Sequence, residues 1–319
     1  MAQRQETGPV TVVLTGATGF IGSALQRELL NHGHRVIALV RKTPRKMRVL
    51  LPGVTIEYVG LDDLPGLVNC FREADIGIYC AGAVRGRIAA DFDPANVEGV
   101  INFARAARIG MKQPRVLLIS SLAARKPHLS LYAKSKAEGE RAIQGGGSVA
   151  WSILRPPAVY GPGDREMLPL LRCIRRGVLP RVGPRNQRLA LLHVSDLARA
   201  VLRLLDNFDA CAGRAFDLHD GKSGGYSWSE IAEAVRGSRP YLTLAPPRAL
   251  LQLLAQFNSM FASMIGYRPM LTVGKVAELS EPVWLCDNQP LFEVTGWSPD
   301  VSLSEGAAML FQEGSRYGD

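Results

Sequence analysis

Tyr132 and Lys136 stand four residues apart, and Ser121 lies eleven residues before the tyrosine. On one helix, residues at i and i+4 share a face, so a phenol and an ammonium would be neighbours. A free tyrosine has a pKa of about 10 and exchanges its proton poorly at neutral pH. A nearby cation favours the phenolate and brings proton transfer within reach. A serine hydroxyl just beyond a strand could hold a carbonyl or alcohol oxygen beside that phenol. Such a trio moves a proton but carries no electrons, so a redox use requires a bound hydride carrier.

The amino-terminal segment is suited to binding one. Val10–Thr15 reads as a buried parallel strand, followed by Gly16-Ala17-Thr18-Gly19-Phe20-Ile21-Gly22. Leu25, Leu29 and Leu30 then recur at helical spacing until Asn31-His32-Gly33 stops the helix. Strand, glycines and helix in this order fit a dinucleotide. Gly16 permits the tight turn, Gly19 lets the backbone approach the pyrophosphate, and Gly22 lets helix and strand pack closely. The helix amino terminus adds amide donors and a favourable dipole. Gly16, Thr18, Gly19, Phe20 and Ile21 are the candidate contacts. At the end of the second strand, where a carboxylate would bond the ribose hydroxyls of NAD, stand Arg41 and Lys42. A guanidinium pairs with a 2′-phosphate that an aspartate would repel. NADP is therefore the expected cofactor; the alternative is a solvated Arg41 and an enzyme that takes either.

The elements that must position these residues follow in alternation. Arg35–Val40, Val54–Val59, Ile76–Cys80, Val116–Ser120 and Trp151–Leu154 read as further strands, with helical stretches between the later ones. This pattern predicts an α/β fold, a Rossmann-like doubly wound parallel sheet. Beyond Arg155, prolines and glycines punctuate shorter elements. The expected division is a dinucleotide-binding domain of residues 1–160 plus about 189–220. About 161–188 and 221–319 would form a smaller, mainly helical substrate lobe.

Bulk properties narrow the classes. A hydrophobic content of 47% with 21% charged residues is ordinary for a water-soluble globular protein. Five scattered cysteines without a CxxC pair point to reduced thiols, and no cluster has metal spacing. Residues 1–9 lack a signal-peptide core, so a cytoplasmic location is expected. The net charge is +9, and basic residues cluster at Arg41–Arg48 and around Arg172, Arg175, Arg176 and Arg181. A cofactor phosphate, an anionic membrane and a nucleic acid compete to explain it; no nucleic-acid-binding motif accompanies the charge, so that partner is not expected.

Taken together, Thr15–Gly22, Cys80–Ala83, Asn96–Gly99, Ile119–Ser121, Tyr132–Lys136, Leu154–Asp164 and His193–Ala198 resemble the extended and atypical branches of the short-chain dehydrogenase/reductase superfamily. The resemblance spans most of residues 10–200. It implies that Ser121, Tyr132 and Lys136 are catalytic and that Lys136 also holds the nicotinamide ribose. It also implies that Ala81, Gly82 and Ala83 line the cofactor, with Pro156 and Val159 near the nicotinamide. Two departures stand out. The carboxylate such enzymes often place directly after the glycine ending the third strand is replaced by Leu61, leaving Asp62 or Asp63 to substitute. The short gap from Ser121 to Tyr132 resembles the atypical branch, some of whose members hold the cofactor without turnover.

For the substrate, Arg188 stands near the position where nucleotide-sugar enzymes of that superfamily clamp a pyrophosphate, with its spacing to His193 shifted by one. From Ala249 to Tyr267 there is no charged residue, and apolar residues recur at helical spacing. That stretch could be a core helix, a cap over a greasy substrate, or a peripheral contact with an anionic membrane, which would place the protein on the inner membrane face. Ile119–Ala124, Tyr132–Lys136, Asp220–Trp228 and Leu271–Asp287 resemble a bacterial subgroup that includes the reductase of ceramide synthesis. The expected activity is therefore NADPH-dependent reduction of a ketone on a lipid, such as a 3-oxo-ceramide or 3-oxo long-chain base. The same site could run in reverse on a 3-hydroxysteroid. The alternatives are a nucleotide-sugar epimerase or dehydratase and a cofactor-bound accessory subunit without turnover. The oligomeric state stays open, a homodimer being one option.

Overall fold

The computed structural model describes residues 8–41, 50–265, 267 and 269–314. Seven strands form one parallel sheet: β1 (Thr11–Thr15), β2 (Arg35–Leu39), β3 (Val54–Glu57), β4 (Ile76–Tyr79), β5 (Arg115–Ile119), β6 (Ala150–Arg155) and β11 (Arg214–Asp217). Their order is β11-β6-β5-β4-β1-β2-β3. The chain thus runs outward from β1 through β2 and β3, then returns to β4 on the other side. At such a reversal the loops leaving β1 and β4 part in opposite directions and open a crevice above the strand ends.

The two-residue period of a strand explains the layers on either face. Val12 and Leu14 of β1 point into a core with Leu25 and Leu29 of α1 (Phe20–Asn31) and Leu197, Val201 and Leu204 of α6 (Val194–Asp206). Val13 points the other way, toward Phe71 of α2 (Leu64–Phe71) and Phe103 of α3 (Gly99–Gly110). Phe103 meets Phe71 and Tyr79 edge to face, at ring-centroid separations of 4.8 and 5.2 Å. Such aromatic pairs contribute about 0.5–1.5 kcal/mol beyond their buried area. Helix α4 (Leu131–Gln144) lies on this second face.

The remaining elements build the smaller lobe and its junction. β7 (Ala158–Tyr160) pairs with β10 (Leu191–His193), β8 (Val178–Pro180) with β12 (Leu242–Leu244), and β9 (Arg188–Leu189) with β13 (Val283–Trp284). Helices α5 (Leu168–Arg175), α8 (Trp228–Arg236) and α12 (Leu303–Gly314) enclose Leu171, Tyr226, Trp228, Ile231 and Leu303. Short α7 (Phe208–Cys211) and α11 (Gln289–Thr295) add Cys211 and Leu291 to the first core. Asp196, fully buried on α6, accepts hydrogen bonds from the backbone of Asp300 and Val301 and ties the carboxy-terminal segment down.

Of the three readings left open for the uncharged 249–267 stretch, the ordinary core helix is the one that α9 (Arg248–Ile265), which takes up most of it, does not match. It buries Leu251, Ala255 and Ala262, the first two against Val276 of α10 (Val273–Ser280). Leu250, Leu253, Leu254, Phe257, Phe261 and Ile265 are instead between 45% and 64% exposed. Two apolar stripes share the helix, and only the small-residue one is packed.

Candidate functional site

The turn from β1 to α1 is shaped by its glycines. Gly16 has φ +67°, a conformation that side chains with a Cβ resist, and its carbonyl accepts from the Gly19 amide at 2.9 Å. A Cβ on Gly22 would lie 2.1 Å from that same carbonyl, so the helix packs against the turn only without one. Gly19 begins the helix without a side-chain cap, which leaves the first-turn amides around Phe20 and Ile21 to an outside acceptor. Thr18 is half-buried beside them.

Facing this turn is the loop after β4. The Thr15 hydroxyl accepts from the amides of Cys80 and Ala81, at 3.0 Å each. Asn96 holds the next residues: its side chain accepts from the Ala83 amide at 2.9 Å and donates to the Ala83 carbonyl at 3.0 Å. Asn96 also donates to Ser135 on α4 at 2.9 Å. It lies in a π-helical stretch, Pro94–Glu98, whose wider turn runs directly into α3. Gly82 is exposed between the two anchored ends. Arg41 is exposed beyond β2, while Lys42 lies outside the described residues. Of the two carboxylates after β3, Asp63 caps α2 by accepting from the Gly66 amide, and Asp62 is exposed at the same end of the sheet. An uncapped helix terminus, glycines with no room for side chains, and a loop with anchored backbone together fit a dinucleotide.

Ser121 and Tyr132 meet where β5 ends and α4 begins, while the Lys136 ammonium, one turn on, is turned to the Ile119 carbonyl. Ser130 begins α4 by accepting from the Ala133 amide at 2.9 Å. The helix then runs close to the π-helical stretch, since a Cβ on Gly139 would sit 2.2 Å from the Asn96 carbonyl. Ser121 extends from the end of β5, and its hydroxyl, which accepts from the Ala123 amide at 3.2 Å, is close enough to the Tyr132 phenol to favour its ionisation. Lys136 is 6% exposed and donates to the Ile119 carbonyl at 2.9 Å. Burial lowers its pKa to about 8, opposed by Cys80 and by the Glu140 carboxylate one turn on. Pro156 is buried and accepts from the Leu122 amide at 2.8 Å, and half-buried Val159 packs on the first core.

The cation whose charge bears on Tyr132 is Lys275, which local spacing does not reveal, rather than the Lys136 expected from the four-residue interval. Lys275 of α10 holds its ammonium 6.0 Å from the centre of the Tyr132 ring and 2.9 Å from Glu278. Glu278, buried, also accepts from the Ser130 hydroxyl, so α10 grips the first turn of α4. Burial raises the Tyr132 pKa; the Ser121 hydroxyl and the charge of Lys275 pull it back, and Glu278 adds to the rise. Burial works against the charge on Lys275 too, but Glu278 outweighs it and holds the ammonium above its ordinary value. The phenol therefore keeps its proton at neutral pH, the state required of a proton donor.

Beside the phenol is a cavity of ≈ 300 Å³, walled by Val84, Phe92, Met270, Val273, Lys275 and Tyr132 itself. Most of this wall is apolar, with Arg87, Lys275 and Glu278 adding charge at three points. Arg188, near the expected pyrophosphate clamp, is bound to Glu230 at 2.8 Å. His193 caps α6 rather than facing the phenol: its ring accepts from the Ser195 amide and lies 2.7 Å from the Ser195 hydroxyl.

Comparison with known proteins agrees with this arrangement. Residues 12–218 match the model of the NAD dependent epimerase/dehydratase family. The chain is similar to the ceramide reductase of Caulobacter vibrioides, 34% identical over 287 residues that cover 88% of each chain. It is also similar to the 2-alkyl-3-oxoalkanoate reductase of Stenotrophomonas maltophilia, at 25% identity over 94% of this chain and 98% of that one. Among solved structures, MoeE5 in complex with UDP-glucuronic acid and NAD superposes with a TM-score of 0.71, 24% sequence identity and coverage of 96% and 99% of the two chains. The glycine turn, the seven parallel strands and these matches lead to one conclusion: the chain belongs to the NAD-dependent epimerase/dehydratase family of enzymes.

Proposed function

We propose that the protein reduces a ketone on a lipid, of the 3-oxo-ceramide or 3-oxo long-chain-base class, with NADPH as reductant. The observation that carries this reading is the mostly apolar cavity that begins at the Tyr132 phenol. The similarity to a ceramide reductase supports it, as does the engagement of Arg188 with Glu230 where a sugar nucleotide would want a free guanidinium.

Gly16, Thr18, Gly19, Phe20 and Ile21 would hold the pyrophosphate, Ala81, Gly82 and Ala83 the adjoining ribose and ring, Asp62 the adenosine end, and Arg41 with Lys42 a 2′-phosphate. Pro156 and Val159 would border the nicotinamide. When bound, the cofactor supplies a hydride to the carbonyl carbon. Ser121 orients the carbonyl oxygen by donating a hydrogen bond. Tyr132 gives that oxygen its proton as the carbon is reduced, so the ketone becomes an alcohol and the phenol becomes phenolate. Lys136 stabilises the phenolate and grips the ribose, and solvent then returns the proton. Burial favours the protonated phenol, which suits reduction over the reverse reaction.

The test is to mix the protein in mild detergent with NADPH and a 3-oxo-ceramide, following cofactor oxidation and the alcohol product. Turnover that disappears in Tyr132→Phe is the expected result. Absence of turnover with intact NADPH binding would overturn the substrate assignment and favour a nucleotide sugar, assayed by epimerisation of a uridine-diphosphate hexose.

A second expectation concerns Lys275. Lys275→Gln keeps a donor for Glu278 but removes the positive charge from beside the phenol. The Tyr132 pKa should rise further, so the alkaline onset of alcohol oxidation should move to higher pH while neutral-pH reduction changes little. A superimposable pH profile would show that Lys275 only fastens α10 to α4.

A further inference from the structure

We infer that α9 seats this protein on the surface of an anionic phospholipid bilayer. Leu250, Leu253, Leu254, Phe257, Phe261 and Ile265 are all at least 45% exposed and follow one another at helical intervals. At about 100° per residue their stripe lies roughly 110° around the helix from the buried Leu251, Ala255 and Ala262. The helix is about 27 Å long, so the stripe is a continuous apolar ridge. No described helix is long and apolar enough to cross a membrane, so this one would lie in the plane of the interface.

Charge identifies the occupant. Residues 167–195 contain six arginines and no acidic residue, and residues 234–277 contain five basic residues and no acidic one. These two segments hold eleven of the 38 basic residues and none of the 29 acidic ones, so the rest of the chain is slightly acidic. The fold puts the two segments together. β8 and β12 pair in parallel, and the Leu242 amide donates to the Gly177 carbonyl at 2.8 Å. Arg236 reaches across to the backbone carbonyl of Arg175, and Arg172, Arg175 and Arg176 are exposed. Leu242 and Leu244 of β12 are 61% and 49% exposed, and α9 starts four residues later. An apolar ridge next to cations matches the acyl boundary and headgroups of an anionic leaflet. A second copy docked symmetrically on the ridge would instead bring like charges together.

Ser259 of α9 and Met270 just beyond it line the cavity, Ser259 from the face of the helix opposite the ridge. Seating on a bilayer goes beyond the ketone reading and is tested without turnover, so either can fail alone.

The experiment is flotation of the NADPH-loaded protein with vesicles of phosphatidylcholine, alone or mixed with phosphatidylglycerol. Recovery with the mixed vesicles should exceed that with phosphatidylcholine by about tenfold, and high salt should diminish it. The double variant Leu254→Glu, Phe257→Glu should lose about tenfold or more of the binding, with NADPH affinity and circular dichroism unchanged. Arg172→Glu with Arg176→Glu should remove the preference for phosphatidylglycerol. The proposal is overturned if the wild type floats with neither vesicle, or if the apolar double variant floats like the wild type. It is equally overturned if the wild type sediments as a dimer that this variant dissociates.

Discussion

Lys136→Met is expected to abolish carbonyl reduction and, at the same time, to raise the thermal stability of the cofactor-free protein. The ammonium is almost fully enclosed, with the Ile119 carbonyl 2.9 Å away. Its pKa falls from 10.5 to about 8, chiefly because burial strips its water. A displacement of that size corresponds to a cost of up to ~3 kcal/mol when the group is charged. The unfolded chain holds this proton to about pH 10.5, the folded protein only to about pH 8. Below pH 8 both states are protonated and the full cost stands. Between pH 8 and 10.5 the unfolded state binds more protons, so the cost is relieved as pH rises. Methionine removes the charge and gives up one hydrogen bond worth about 1 kcal/mol, leaving a net gain of roughly 1–2 kcal/mol at neutral pH. Turnover should fall by a factor on the order of 10²–10⁴, the usual worth of a positioned proton-transfer system. Thermal melts at pH 7 and at pH 9.5 check the first half: the variant's advantage should shrink at the higher pH. A variant less stable than the wild type at pH 7 would refute the argument.

Glu140→Ala is expected to produce the largest loss of stability among single changes near the site, about 3–5 kcal/mol. The carboxylate is 4% exposed and accepts twice from Arg155, with Nε at 2.9 Å and Nη2 at 2.6 Å. The Ser120 hydroxyl donates to it as well. Alanine would strand a half-buried guanidinium, with Asp217 at 3.7 Å as its remaining carboxylate partner, and leave a buried hydroxyl without its acceptor. The same change removes a charge that helps Lys136 keep its proton, so the lysine pKa should drop below about 8. Urea denaturation measures the first effect, and the alkaline limb of reduction, moved to lower pH, reports the second. A loss under about 1 kcal/mol would show that the pair is solvated rather than buried.

The parts of the fold written in local sequence were the ones that could be read from it. The apolar run of β1, the three glycines and the Tyr132–Lys136 pair each depend on residues a few positions apart, where strand and helix periods act directly. The doubly wound parallel sheet followed from alternating elements, but its strand order did not. Lys275 and Glu278 were missed because more than 140 residues separate them from the phenol they face, and an i,i+3 Lys–Glu pair is common on helix surfaces. Asn96 was noticed within a matching segment, yet its role depends on a π-helical turn that composition does not announce. In α9 the two apolar stripes overlap along the sequence, so periodicity reported an amphipathic helix but not which stripe was packed. Asp62 and Asp63 could be separated only once Asp63 was found capping α2.

The Asn96 carboxamide binds the loop that would line the dinucleotide on one side and Ser135 of α4 on the other. Loop and helix are thus parts of one rigid coupling, and neither can shift without the other. By thermodynamic linkage, any tightening of lipid affinity caused by a bound nucleotide must be matched by an equal tightening of nucleotide affinity caused by the lipid. Asn96→Ala would then weaken each ligand's effect on the other by one and the same factor.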